Sequence, residues 1–103
     1  MDPAILATIS ETNRFNIVEY LLSGSQPVGE ISAKLHLTQP QTSKHLRVLA
    51  DAGVVDVKVD AQKRIYSLNA KKFQDLDVWV SQFRKLWEDR LSRLEKHLKG
   101  ENK

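Results

Sequence analysis

The stretch Thr38-Gln39-Pro40-Gln41-Thr42-Ser43-Lys44-His45-Leu46-Arg47-Val48-Leu49-Ala50-Asp51-Ala52-Gly53-Val54-Val55 decides the architecture. Thr38 is a good helix N-cap. Pro40 stands in the first turn, where a missing N–H breaks no hydrogen bond. Steps of about 100° per residue place Thr42, Leu46, Leu49 and Gly53 on the inner side. Gln41, Lys44, Arg47 and Val48 then point outward or sideways, with Ser43 and His45 flanking them. Ala52-Gly53 stops the helix, because glycine accepts the left-handed conformation of a C-terminal cap. The first half of the helix is dense in donors and acceptors: Gln39, Gln41, Thr42, Ser43, Lys44 and His45. Base edges in a major groove require such groups, Gln suiting adenine and Lys or Arg suiting guanine or phosphate. Positions 39–50 hold no acidic residue that would repel phosphate.

Upstream, Pro27 opens a shorter helix with Val28, Ile31 and Leu35 on one face. Residues 28–36 and 39–52 therefore read as two helices joined by a tight turn, with Ile31, Leu35, Leu46 and Leu49 setting the angle between them. In such a pair one helix braces the other against DNA. Further back, Asp2-Pro3 caps a short helix carrying Ile5, Leu6 and Ile9. The polar break Ser10-Glu11-Thr12-Asn13 leads to a helix with Phe15, Ile17, Val18, Leu21 and Leu22, ended by Ser23-Gly24-Ser25.

Downstream the period changes. Val55, Val57 and Val59 alternate with Asp56 and Lys58, which is strand spacing. Asp60-Ala61-Gln62 turns the chain and Arg64-Ile65-Tyr66-Ser67-Leu68 returns it. The expected result is a two-stranded wing with Lys58, Lys63 and Arg64 at or near its tip, placed for backbone or minor-groove contact. Asn69 caps a last helix, along which Phe73, Leu76, Val80, Phe83, Trp87, Leu91, Leu94 and Leu98 step by three or four. About thirty residues at about 1.5 Å each make a rod of roughly 45 Å. The fold class is thus mainly α with a two-stranded β-wing, a winged helix-turn-helix with a long C-terminal helix.

Taken together, residues 39–55, the wing ending Lys63-Arg64-Ile65-Tyr66-Ser67-Leu68, and Asn13-Arg14 leading into a helix resemble the ArsR family and its pattern S-K-H-L-x-x-L-x-x-A-G-(L/V)-V. The tail Leu86-Trp87-Glu88-Asp89-Arg90-Leu91-Ser92-Arg93-Leu94-Glu95 looks like a subgroup without metal ligands. The resemblance implies a dimeric repressor of its own or a neighbouring operon, bound to a palindromic operator. It carries Gln39, Gln41, Thr42, Ser43, Lys44 and His45 over as groove residues, joined by the outward Arg47, and Lys63 and Arg64 as wing residues. Metal-sensing members often have cysteines where this chain has Pro27 and Gly29. Others use His and carboxylates on the last helix, which here offers His97. No metal or cofactor is expected, and any inducer or partner protein is left unidentified.

The chain has 103 residues, which argues for a single winged helix-turn-helix domain. Within it, residues 1–12 and 69–99 are expected to serve dimerisation, and 13–68 to form the helix-turn-helix and wing. Ile5, Leu6 and Ile9 with Trp79, Phe83, Trp87, Leu91 and Leu94 are the expected two-fold interface, since they exceed what a small monomer covers. The net charge is +3, and residues 1–26 contribute one basic and three acidic groups, so the basic excess lies further on. With no cysteine, disulfides and thiolate metal sites are excluded. No apolar run reaches the length of a membrane span, and Met1-Asp2-Pro3 does not begin a signal peptide. A cytoplasmic protein without a membrane partner is expected. An enzyme is disfavoured: there is no Gly-rich phosphate loop or paired-carboxylate site, and Ser43 and His45, two apart on a helix, do not face each other. The competing expectation is a winged-helix module that binds another regulator instead of DNA.

Overall fold

The computed structural model describes residues 1–101. In order the elements are α1 (Ala4–Ile9), α2 (Thr12–Leu21), β1 (Gln26–Pro27), α3 (Val28–Leu35), α4 (Gln39–Asp51), β2 (Val55–Asp60), β3 (Lys63–Leu68) and α5 (Ala70–Glu101). They fall into two units, one over Asp2–Lys72 and one formed by α5 from Phe73 onward.

The expected signals start and stop the central helices. Thr38 and Gln41 form a reciprocal capping box: Thr38 Oγ1 accepts the Gln41 N–H at 3.3 Å, and Gln41 Oε1 accepts the Thr38 N–H at 3.1 Å. At the other end Gly53 takes φ 76° and the Val54 N–H reaches back to the Leu49 carbonyl at 2.9 Å, satisfying a carbonyl the helix leaves over. α3 ends in the same way, although no glycine is present. His36 adopts φ 56°, and the Leu37 N–H donates to the Ser32 carbonyl at 3.1 Å. Only His36, Leu37 and Thr38 separate α3 from α4, as a helix-turn-helix requires.

The core of the first unit lies where α2, α3, α4 and the sheet meet. Ile17, Ile31, Leu46, Leu49 and Val54 are fully buried, with Val55, Leu21 and Tyr66 close behind. Burial of a side chain of this size contributes about 1.5–3 kcal/mol. Thr42 is also fully buried, its hydroxyl donating to the Thr38 carbonyl at 2.9 Å.

The sheet has three strands in the order β1-β3-β2, all antiparallel, where two were expected. The extra strand places Gln26 opposite Tyr66 and Pro27 opposite Ile65. Pro27 therefore caps α3 from an edge strand instead of entering the helix, and an edge tolerates its missing N–H. In the wing, Val55 pairs with Leu68 and Asp60 with Lys63, leaving Ala61-Gln62 as a two-residue turn. Ala61 takes φ 55°, the positive angle that hairpin turns of this length demand. Beyond the wing, the Asn69 amide donates to Asp56 Oδ1 at 3.1 Å, while its carbonyl oxygen accepts the Lys72 N–H at 2.9 Å and starts α5.

Taken by itself, α5 is a 32-residue helix of roughly 48 Å. Val80, Phe83, Trp87, Leu91, Leu94 and Leu98 are all exposed along it, and Trp79 meets Phe83 edge to face at 5.0 Å. Among the described residues no helix is long and apolar enough to cross a membrane.

Candidate nucleic-acid interface

The buried set Thr42, Leu46 and Leu49 fixes which side of α4 faces away from the core. Gln39, Gln41, Ser43, Lys44, Arg47 and Val48 are exposed on that other side. The helix thus presents two amides, a hydroxyl and two cations along its first three turns, with no carboxylate among them. Gln41 is partly committed, because its Oε1 serves the cap. A bidentate contact to adenine needs both amide atoms, so Gln41 must leave the cap to make one, whereas Gln39 carries no such duty.

Two of the expected groove residues are placed otherwise. Thr42 is a correction: with no exposed surface and its hydroxyl on the Thr38 carbonyl, it packs the helix and cannot touch a base. His45 is half-buried, and its Nδ1 lies 3.7 Å from Glu11 Oε2, so the ring turns toward the start of α2. Glu11 was not among the residues expected at the site. Its Oε2 also accepts the Arg14 N–H at 2.8 Å and caps α2. Partial desolvation pushes the Glu11 carboxyl up. The N–H groups of Arg14 and Asn13 and the nearby charges of His45 and Arg14 outweigh it and hold the carboxyl below its ordinary value.

The wing and the helix pair share a cleft. Pro27, Val28, Gly29 and Glu30 at the start of α3, Gln39 at the start of α4, and Gln62, Lys63 and Arg64 at the wing tip line a cavity of about 490 Å³. The expected wing cations and the first groove residue therefore face one common space. Gly29 leaves room beside Gln39, whose Nε2 lies 3.8 Å from where a Cβ would stand. Glu30 adds one carboxylate to the rim, a charge that periodicity alone gave no reason to place there.

Of the expected dimer residues, Ile5 is a second correction. It is 4% exposed, covered already by its own chain, whereas Leu6 is exposed and Ile9 half-buried. Trp79 is half-buried, and Phe83, Trp87, Leu91 and Leu94 stand open on α5. Among the described residues no cluster of three or more His, Asp or Glu side chains could hold a metal ion.

A tight helix pair, an exposed face on the second helix whose first three turns carry amides and cations without an acid, and a cationic hairpin beside it define a winged helix-turn-helix protein of the DNA-binding type. The family described as "Bacterial regulatory protein, arsR family" matches residues 11–57. The Bacillus subtilis transcriptional repressor SdpR is 30% identical over 79 residues, which cover 77% of this chain and 88% of that protein. The chain belongs to the ArsR family, whose members are transcriptional regulators and not enzymes. A biofilm growth-associated repressor of Agrobacterium fabrum is 37% identical over 68 residues, covering 66% of this chain and 58% of that longer protein. A crystal structure described as a possible transcriptional regulator for arsenical resistance superposes with a TM-score of 0.69 at 32% identity, over 77% of this chain and 82% of that one. The fold is shared as well by a DNA-binding domain from Mycobacterium bovis, described as a homodimeric winged helix-turn-helix, with a TM-score of 0.66 at 17% identity over 80% and 76% of the two chains.

Proposed function

We propose that the protein is a cytoplasmic, homodimeric repressor that reads a two-fold-symmetric operator upstream of its own or a neighbouring operon. The exposed face of α4 enters the major groove, with Gln39, Gln41, Ser43, Lys44 and Arg47 reaching base edges and phosphates. Lys63 and Arg64 hold the flanking backbone from the other side of the shared cleft. The open stripe Phe83, Trp87, Leu91 and Leu94, with Trp79 and the α1 residues Leu6 and Ile9, pairs two copies. Pairing sets the two α4 helices about 34–36 Å apart, the spacing of successive major grooves on one DNA face.

The observation that carries this proposal is the division of α4 into a buried side and an exposed side that, from Gln39 through Val48, bears amides, a hydroxyl and cations, the one carboxylate of the helix, Asp51, standing at its far end. A solvated helix of no special function ordinarily mixes both charge signs. The test is a titration of duplex DNA at several salt concentrations. Affinity falls with a log–log slope of about −0.9 for each phosphate neutralised, and Lys63→Ala and Arg64→Ala each flatten that slope by about one contact. A slope near zero, or one unchanged by both substitutions, contradicts the proposal.

A further inference from the structure

Glu11 connects two things that the groove-reading face does not itself explain. It sits between α1 and α2, and one carboxylate oxygen both caps α2 through the Arg14 N–H at 2.8 Å and lies 3.7 Å from His45 Nδ1 on α4. The junction around it is tied down. The Phe15 N–H donates to the Glu11 carbonyl at 2.8 Å, and Arg14 Nε donates to the Thr8 carbonyl at 2.6 Å. The carboxylate is therefore anchored to backbone, and its other contact is a side chain in the middle of α4. His45 is next to Lys44 and two residues from Arg47.

The inner side of α4 is held by Thr42, Leu46 and Leu49, whose contacts are largely apolar and non-directional. Such contacts resist separation well but resist a small roll about the helix axis less. Side-chain tips lie about 6 Å from that axis, so a roll of about 10° moves them by about 1 Å. Hydrogen bonds to base edges do not tolerate that displacement. A carboxylate anchored to backbone and set 3.7 Å from His45 Nδ1 at the flank of the helix opposes the roll.

We propose that Glu11 is a positioning residue for DNA recognition: by holding His45 it sets the rotation of α4 and so the aim of Lys44 and Arg47. The proposal rests on the DNA-binding reading above. It assigns to the α1–α2 junction a part in specificity, although that junction need not touch DNA.

The test uses the full chain and separates the cap from the His45 contact. Glu11→Asp keeps an excellent N-cap while drawing the carboxylate back by one methylene. Glu11→Gln keeps the length and an accepting oxygen but removes the charge. His45→Ala removes the other partner. Each variant is measured for melting temperature, for affinity to the footprinted operator and for affinity to a scrambled duplex of equal length. The expected result is a melting temperature within a few degrees of wild type, operator binding weaker by about three- to fivefold, the scale of a partly exposed ion pair, and unchanged binding to the scrambled duplex. In the His45→Ala background the Glu11 substitutions then have no further effect. The proposal is overturned if both Glu11 variants bind the operator as wild type does, if operator and scrambled affinities fall together, or if the Glu11 and His45 losses add. A large drop in melting temperature in both Glu11 variants overturns it too, making Glu11 a folding residue. A wild-type protein that protects no DNA refutes the regulatory function itself, a different outcome that ends both.

Discussion

Trp87→Ala probes the pairing of two copies. Trp87 is 66% exposed in the single chain. A tryptophan offers up to about 250 Å², so about 160 Å² of it faces water. If a partner covers half of that, about 80 Å² per copy at about 25 cal/mol per Å² contributes about 2 kcal/mol. The residue occurs twice in a two-fold dimer, giving about 4 kcal/mol. Truncation to Ala retains part of this, leaving a loss of about 2–3 kcal/mol, so the dimer dissociation constant should rise about thirty- to two-hundredfold. Because the side chain is open in the single chain, its removal leaves no internal cavity, and the variant should stay helical by circular dichroism. The assay is sedimentation equilibrium over a dilution series, with operator titrations in parallel. Operator affinity should fall with the dimer, since one α4 reads only half a palindrome. A dimer constant within about threefold of wild type would refute the placement of the interface on this stripe.

Other positions follow from the same geometry. Thr42→Val should change stability by no more than about 1 kcal/mol, because the Thr38 carbonyl keeps the Thr42 N–H at 3.0 Å, and should leave operator affinity unaltered; a selective loss of binding would restore Thr42 to the groove set. Gly53→Ala should destabilise by about 1–2 kcal/mol in chemical denaturation, since φ 76° strains any L side chain and the new Cβ would stand 2.7 Å from Lys72 Cε. Glu11 gives a pH dependence. Its carboxyl is held below the ordinary 4.5, so its stabilisation is fully present above that value and is lost as pH falls through it and below. The stability gap between wild type and Glu11→Gln should therefore narrow on acidification from about pH 6 to about pH 3; a gap that stays constant contradicts the assigned contacts.

Much of this fold was legible in the sequence because its signals are local. The Thr38 cap, the Pro40 first turn, the Gly53 stop and the Asn69 cap each act within a few residues, and the structure uses each as expected. β1 was not legible: two residues are too short to display an alternating pattern, and only their pairing with Tyr66 and Ile65 makes them a strand. The site was partly legible. Periodicity separated the inner from the outer side of α4, yet a list of polar residues drew in Thr42, whose hydroxyl turns back to its own helix. His45 and Glu11 are thirty-four residues apart in the chain, so no window of sequence shows their approach. Ile5 was misplaced for a similar reason, because an apolar residue near a terminus reads alike whether its own chain or a partner covers it.

Footprinting on the DNA upstream of the protein's own coding region and of the neighbouring operons, with wild type and a Lys44→Ala/Arg47→Ala variant side by side, tests the use of α4 most directly. The expected result for wild type is protection of two inverted half-sites centred about 10–10.5 base pairs apart, lost in the variant at equal concentration and equal melting temperature. Protection by the variant that matches wild type, or no protected site for either, would contradict it.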